Sequence, residues 1–210
     1  MVKIALNGFG RIGKLALRRL IDNDISVAFI NDKNGDPDLF AHLLEFDTVH
    51  GRWSRSISND SVSLTVDNQK IPVLREENIV NLPLDEIDIV IDCTGFFKSE
   101  QLLAPYFKKG IQKVIVSAPV KTGTVANLVY GVNDNIYDPN MHNIVTAASC
   151  TTNCLAPIVK VVHESLGIKH GSITTIHNVT NTQTIVDRPS KDFRRSRSAL
   201  NSLIPTTTGS

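Results

Sequence analysis

Cys150, in Ser149-Cys150-Thr151-Thr152-Asn153, stands just ahead of a run with helical periodicity. A thiol at a helix start meets unsatisfied backbone N–H groups and the positive end of the helix dipole, and both favour the thiolate. The residue is therefore a candidate nucleophile. His177, in Thr174-Thr175-Ile176-His177-Asn178 on the next expected strand, is the candidate base, a partner remote in sequence that only the fold can bring to the thiol. Far upstream, Gly8-Phe9-Gly10-Arg11-Ile12-Gly13 fits G-x-G-x-x-G directly after an apolar run and at a helix start. In that setting Gly8 permits the tight turn, Gly10 lets backbone approach a pyrophosphate, and Gly13 lets helix and strand pack closely. Asp32, 24 residues past Gly8, falls where a carboxylate accepts both ribose hydroxyls of adenosine and repels a 2′-phosphate, which favours NAD over NADP.

Each of these residues also has a plainer reading. A strand histidine is more often packing or surface, glycine turns join many strands to helices, and Asp32 before Lys33 and Asn34 would serve as a solvated turn residue. For Cys93 and Cys154 the packing reading is the stronger one. His42, His50, His142, His163 and His170 show no spacing to cysteines that suits a zinc site. Arg194, Arg195 and Arg197 read as a solvated loop, since an RNA-binding patch would carry interleaved aromatics.

These residues need elements to hold them. Short apolar runs alternate with helical periodicity, which predicts βαβ units around a parallel sheet. Strands are expected at 2–7, 25–31, 87–92 and 113–117, with a helix over 11–22 whose apolar stripe is Ile12, Leu15, Ala16 and Leu20. The alternation of 61–66, the turn at 67–70 and the run 71–74 predict an antiparallel hairpin. A further helix is expected to run to Leu166 with the stripe Leu155, Ile158, Val159, Val162 and Leu166, followed by a strand over 172–180. The reading is α/β: a doubly wound, Rossmann-type parallel sheet over 1–149, then the start of a second, α+β domain over 150–210.

Composition narrows the partners. Of 210 residues 41% are hydrophobic and 20% charged, and 22 Lys plus Arg balance 21 Asp plus Glu, so no net field draws the chain to nucleic acid or an anionic membrane. Three cysteines form no disulfide framework, and no signal segment or membrane-length apolar run stands out, which points to the cytoplasm. The Asn178-Val179-Thr180 sequon is expected to stay unmodified there.

The stretches Asn7 to Gly13, Glu45 to Gly51, Asp92 to Phe97, Ser117-Ala118-Pro119, Ser149 to Pro157, Thr175-Ile176-His177 and Ile204 to Gly209 together resemble the glyceraldehyde-3-phosphate dehydrogenase family, in order and over essentially the whole chain. The resemblance implies an NAD-dependent phosphorylating aldehyde dehydrogenase in which Cys150 attacks the aldehyde and His177 takes the proton. It places Gly8, Gly10, Arg11, Ile12, Gly13, Asp32, Arg75 and Ser117 on the cofactor, Ser149, Thr151, Thr208 and Gly209 on the attacking phosphate, and Thr180 and Arg195 on the substrate's phosphate. It implies a homotetramer in which the 178–202 loop packs near the neighbour's cofactor site, and no residue is assigned to a metal. Leu43 to Trp53 resembles the branch found in arsenate-resistance gene clusters, where arsenate would replace phosphate. Family members continue well past the position of Ser210, so the chain is expected to be the front part of a longer protein. Competing readings are an erythrose-4-phosphate or non-phosphorylating aldehyde dehydrogenase, and a catalytically incomplete NAD-binding or RNA-binding fragment.

Overall fold

The computed structural model describes residues 2–120 and 123–208. The chain divides into two compact units, Met1–Ala148 and Ser149–Ser210. The first is ordered by burial of a sheet on both faces. Its elements run β1 (Ile4–Asn7), α1 (Arg11–Asp22), β2 (Val27–Asn31), α2 (Pro37–Glu45), β3 (Phe46–Asp47), β4 (Gly51–Arg52), β5 (Ile57–Asn59), β6 (Ser63–Val66), β7 (Gln69–Leu74), β8 (Ile89–Asp92), α3 (Glu100–Lys108), β9 (Lys113–Val116), β10 (Val125–Asn127) and β11 (Ile144–Thr146). Nine strands form one sheet in the order β10-β11-β9-β8-β1-β2-β7-β6-β5. It is parallel from β10 to β7, and the expected hairpin appears as β6 and β7, with β5 and β6 extending the sheet antiparallel.

Strands covered on both faces need apolar residues at successive positions, not alternation. Ala5, Phe29 and Val90 point into one core with Leu103 and Tyr106 of α3. Their neighbours Leu6 and Ile30 point into the other with Leu17 of α1 and Phe40 and Leu44 of α2. Taking β7 as the third strand and β8 as the fourth, the central order is that of the doubly wound dinucleotide-binding sheet, and the strand order reverses between β1 and β8. Ligand crevices open at the carboxyl ends of strands at such a reversal.

The face that α1 buries differs from the expected stripe. Gly13, Lys14, Leu17, Arg18 and Ile21 are buried, whereas Ile12 lies on the exposed side. Two cations sit on the buried face because the carboxyl end of α2 offers them carbonyl oxygens. Arg18 donates to the Leu44 carbonyl from Nε (3.0 Å) and Nη2 (2.6 Å), and Lys14 Nζ donates to the Leu43 carbonyl (3.1 Å). Their aliphatic stems fill the positions that apolar side chains were expected to take. The Arg18 guanidinium also lies 5.6 Å from the Trp53 ring centre. Beside them Asp47 accepts from Arg11 and from the backbone N–H groups of Val49 (3.0 Å) and His50 (2.9 Å), closing the β3–β4 turn. The Arg11 guanidinium holds the Asp47 carboxyl well below the usual carboxylate range.

The second unit contains α4 (Cys150–Leu166), capped at its start by the Ser149 hydroxyl, which accepts from the Thr152 N–H (3.0 Å). The expected strand over 172–180 is absent: those residues run without a ladder, because no described segment of this unit lies alongside to pair with them. The apolar stripe of α4 is likewise uncovered within the described residues, with Ile158 60% and Leu166 85% exposed. Cys154, expected to pack, is exposed.

Candidate active site

Two sites are built, one in each unit. At the carboxyl ends of β1, β2 and β8 a cavity of about 670 Å³ is lined by Gly8, Asp32, Lys33, Glu76, Glu77 and Phe96, among others. Its floor is a buried polar chain. Tyr106 donates to Asp92 (2.8 Å), the Asn7 side-chain amide donates to the Tyr106 oxygen (2.6 Å), and Asn31 donates to the Asn7 side-chain Oδ1 (2.7 Å). Asp92 also accepts from the Thr94 hydroxyl (2.7 Å) and N–H (3.1 Å). With no cation among these partners, burial raises the Asp92 carboxyl above its ordinary range. Asn31 extends the chain to the cavity wall, accepting from the Glu76 N–H (2.8 Å) and donating to the Glu76 carbonyl (3.0 Å).

The glycine turn is fixed by close approach. At Gly8 (φ +93°) a Cβ would lie 2.5 Å from the backbone of Cys93 and Thr94, and at Gly13 it would lie 2.0 Å from the Gly8 oxygen. At Gly10 it would meet nothing within 4 Å. Asp32 is oriented by the backbone: its carboxylate accepts from the N–H groups of Phe9 (2.8 Å) and Asn34 (3.0 Å), leaving oxygen lone pairs for hydroxyls in the cavity. The structure thus joins Gly8 and Asp32 on one cavity. Gly10, Arg11, Ile12, Gly13, Arg75 and Ser117 do not line it. Arg11 is engaged by Asp47, and Ser117 hydrogen-bonds toward Cys93. Burial pushes the Cys93 thiol up to about 12, which makes it inert. The sequence reading missed the Asn7–Asn31–Asp92–Tyr106 chain; polar residues at the last positions of three apolar strands were the available signal.

In the second unit Cys150 is the first residue of α4, and its Sγ lies 3.3 Å from Nε2 of His177. The Nδ1 of His177 is 2.7 Å from the Asn178 carbonyl. A carbonyl only accepts, so Nδ1 carries a proton and Nε2 is the atom that exchanges one with sulfur. The hydrogen bond from His177 draws the Cys150 thiol below its ordinary range; burial, the next effect, opposes it, and the Thr151 N–H adds a smaller lowering. The Asn178 carbonyl and then Cys150 raise His177 above its own range. Ala148, just before the cap, sits at φ +53°, a left-handed conformation that costs an alanine about 1 kcal/mol.

The expected anion ligands divide. Ser149 and Thr151 flank the thiol at the helix start. Arg195 Nη2 donates to the Thr207 hydroxyl (3.2 Å), next to Thr208. Thr180 instead bonds Gln183 through its hydroxyl (2.9 Å) and N–H (2.7 Å). Gly209 lies outside the described residues. Arg194 and Arg197 pair with Asp192 (3.0 Å) and Asp187 (2.6 Å), as a solvated loop would.

Two family models match the chain: the NAD binding domain of glyceraldehyde 3-phosphate dehydrogenase over residues 2–100 and its C-terminal domain over residues 149–210. The chain belongs to the glyceraldehyde-3-phosphate dehydrogenase family. It is 50% identical to glyceraldehyde-3-phosphate dehydrogenase 3 of Nostoc sp. over all of its own length and 63% of that protein's. It is 46% identical to the glyceraldehyde-3-phosphate dehydrogenase of Geobacillus stearothermophilus, over 99% of this chain and 62% of the relative. Glyceraldehyde-3-phosphate dehydrogenase 1 of Bacillus subtilis is 42% identical over the same shares. The chain therefore spans rather less than two thirds of the family members it matches.

The thiol and imidazole of this family member should behave as a pair toward alkylation. The lowered thiol pKa and the raised imidazole pKa both shift the pair from thiol with imidazole toward thiolate with imidazolium. Iodoacetamide should therefore modify Cys150 at neutral pH, where an ordinary thiol is mostly protonated. His177→Ala should cut that rate about tenfold near pH 7 and return the titration toward the usual ~8.5, with the two proteins converging at alkaline pH. Superimposable profiles would dissolve the pair.

Proposed function

We propose that the protein carrying this chain is an NAD-dependent phosphorylating glyceraldehyde-3-phosphate dehydrogenase, with residues 1–149 binding NAD and 150–210 forming the first part of the catalytic domain. The single observation that carries the reading is the 3.3 Å approach of Cys150 Sγ to His177 Nε2 at a helix start. The cavity and the glycine turn that enters it at Gly8 suit a dinucleotide: the turn has glycine at its two crowded positions and an open face at Gly10, and the cavity holds an Asp32 carboxylate aimed by backbone. Gly8 and Asp32 would hold the adenosine half, and the start of α1 would face the pyrophosphate. When bound, NAD supplies the hydride acceptor.

The chain's own residues supply the rest. The Cys150 thiolate adds to the aldehyde carbon while His177 Nε2–H protonates the developing oxyanion, giving a hemithioacetal, and the now neutral Nε2 takes that hydroxyl proton back as the carbon is oxidised to the thioester. Phosphate then adds to the thioester carbon and the Cys150 thiolate leaves, releasing the acyl phosphate. Ser149, Thr151, Thr208 and Gly209 would steady the attacking anion, and Thr180 with Arg195 the substrate phosphate. Arg195 already beside Thr207 supports an anion cluster near the 206–208 run.

The finer parts of the reading are a cytoplasmic homotetramer, and arsenate as an alternative to phosphate. Tetrahedral oxyanions of like charge and hydrogen-bonding capacity are poorly separated by hydroxyl and backbone donors. The test is NADH formation from glyceraldehyde 3-phosphate with phosphate, with arsenate, and with neither. Both anions should support comparable rates. Turnover without either would replace the phosphorylating reading, and failure with arsenate alone would remove the arsenate branch.

A further inference from the structure

The acidic wall of the cavity carries more charge than ribose recognition requires. Among the described residues lining it are three carboxylates, Asp32, Glu76 and Glu77, and one cation, Lys33. Glu76 is held by the Asn81 amide (3.0 Å). Lys33 Nζ lies 2.8 Å from the Glu77 carboxylate and donates to it, so the cation immediately following Asp32 is already engaged.

We propose that the Lys33–Glu77 ion pair is a second determinant of cofactor choice, which keeps the 2′-phosphate of NADP out by withholding the one cation among the described residues that line the cavity and presenting a carboxylate in its place. The inference rests on the dinucleotide reading of this cavity. A 2′-phosphate brings a charge approaching −2 beside Asp32. To be received it must draw the Lys33 ammonium away from Glu77, and doing so leaves Glu77 as a free anion against the same phosphate. The 2′-hydroxyl of NAD asks neither side chain to move. Lys33 is thus prevented from doing what a lysine next to a ribose site would otherwise do, and Asp32 is relieved of carrying the discrimination alone.

Both side chains are largely exposed, 54% for Lys33 and 71% for Glu77, so each can be replaced without disturbing a core. The experiment is titration of NAD and of NADP into the protein and its variants, followed by cofactor fluorescence or calorimetry. In Glu77→Gln the ratio of NADP to NAD affinity should rise about fivefold at low salt, the scale of one partly screened charge, and the rise should shrink as salt is added. Adding Lys33→Gln to that variant should remove most of the gain, since the released ammonium is what receives the phosphate. A ratio within about twofold of the unsubstituted protein in Glu77→Gln, or a gain that survives in the double variant, overturns the proposal. Failure of the unsubstituted protein to bind either cofactor would instead overturn the dinucleotide reading beneath it.

Discussion

Cys150→Ser should lower turnover by about a thousandfold or more while NAD binding stays measurable. Serine keeps the size of the side chain and its place at the head of α4, but its hydroxyl is hardly ionised at neutral pH. The stabilisation that draws the thiol down, from His177 and the Thr151 N–H, cannot bring an alcohol into range. The cavity that would take NAD is built wholly from the first unit and does not use Cys150. Steady-state rates and cofactor titration on the same preparation separate the two effects. Retention of most of the activity would remove Cys150 as the nucleophile, and loss of NAD binding together with turnover would show a wider structural failure.

The second large effect separates the glycines of the loop. Gly8→Ala should destabilise the first unit by about 3 kcal/mol or more, because the new Cβ is forced onto the Cys93 and Thr94 backbone at φ +93°. Gly13→Ala should do the same against the Gly8 oxygen. Gly10→Ala meets nothing within 4 Å at φ −74° and should cost only a few tenths of a kcal/mol as an N-cap change. Its penalty should fall on the cofactor instead, weakening NAD about tenfold if the pyrophosphate passes over that face. Thermal unfolding and NAD titration of the three variants check this together. Gly10→Ala with unaltered NAD affinity would leave the loop as a structural turn.

How these sites came to be readable differs by residue. The order of strands and helices in the first unit was legible because burial on both faces demands unbroken apolar runs and each helix imposes its own period. Gly8 and Gly13 were legible as well, since only glycine tolerates backbone approaches of 2.5 and 2.0 Å to where a Cβ would stand. Lys14 and Arg18 were not. A charged residue on a buried face makes sense only once the carbonyls at the end of α2 are in place to receive it. The α4 stripe shows the converse, apolar spacing that nothing among the described residues covers.

Sequence alone determined what is local: the helix start that prepares Cys150, the glycine turn after β1, and the Asp32 that follows β2. Tertiary structure decided what depends on distant partners. It brought His177 to 3.3 Å from the thiol, engaged Lys33 with Glu77, turned Arg11 toward Asp47, and put Arg195 beside Thr207. The physical reason is that propensity and period act within a few residues, whereas a hydrogen bond or ion pair between side chains 27 or 44 positions apart exists only after the chain has folded.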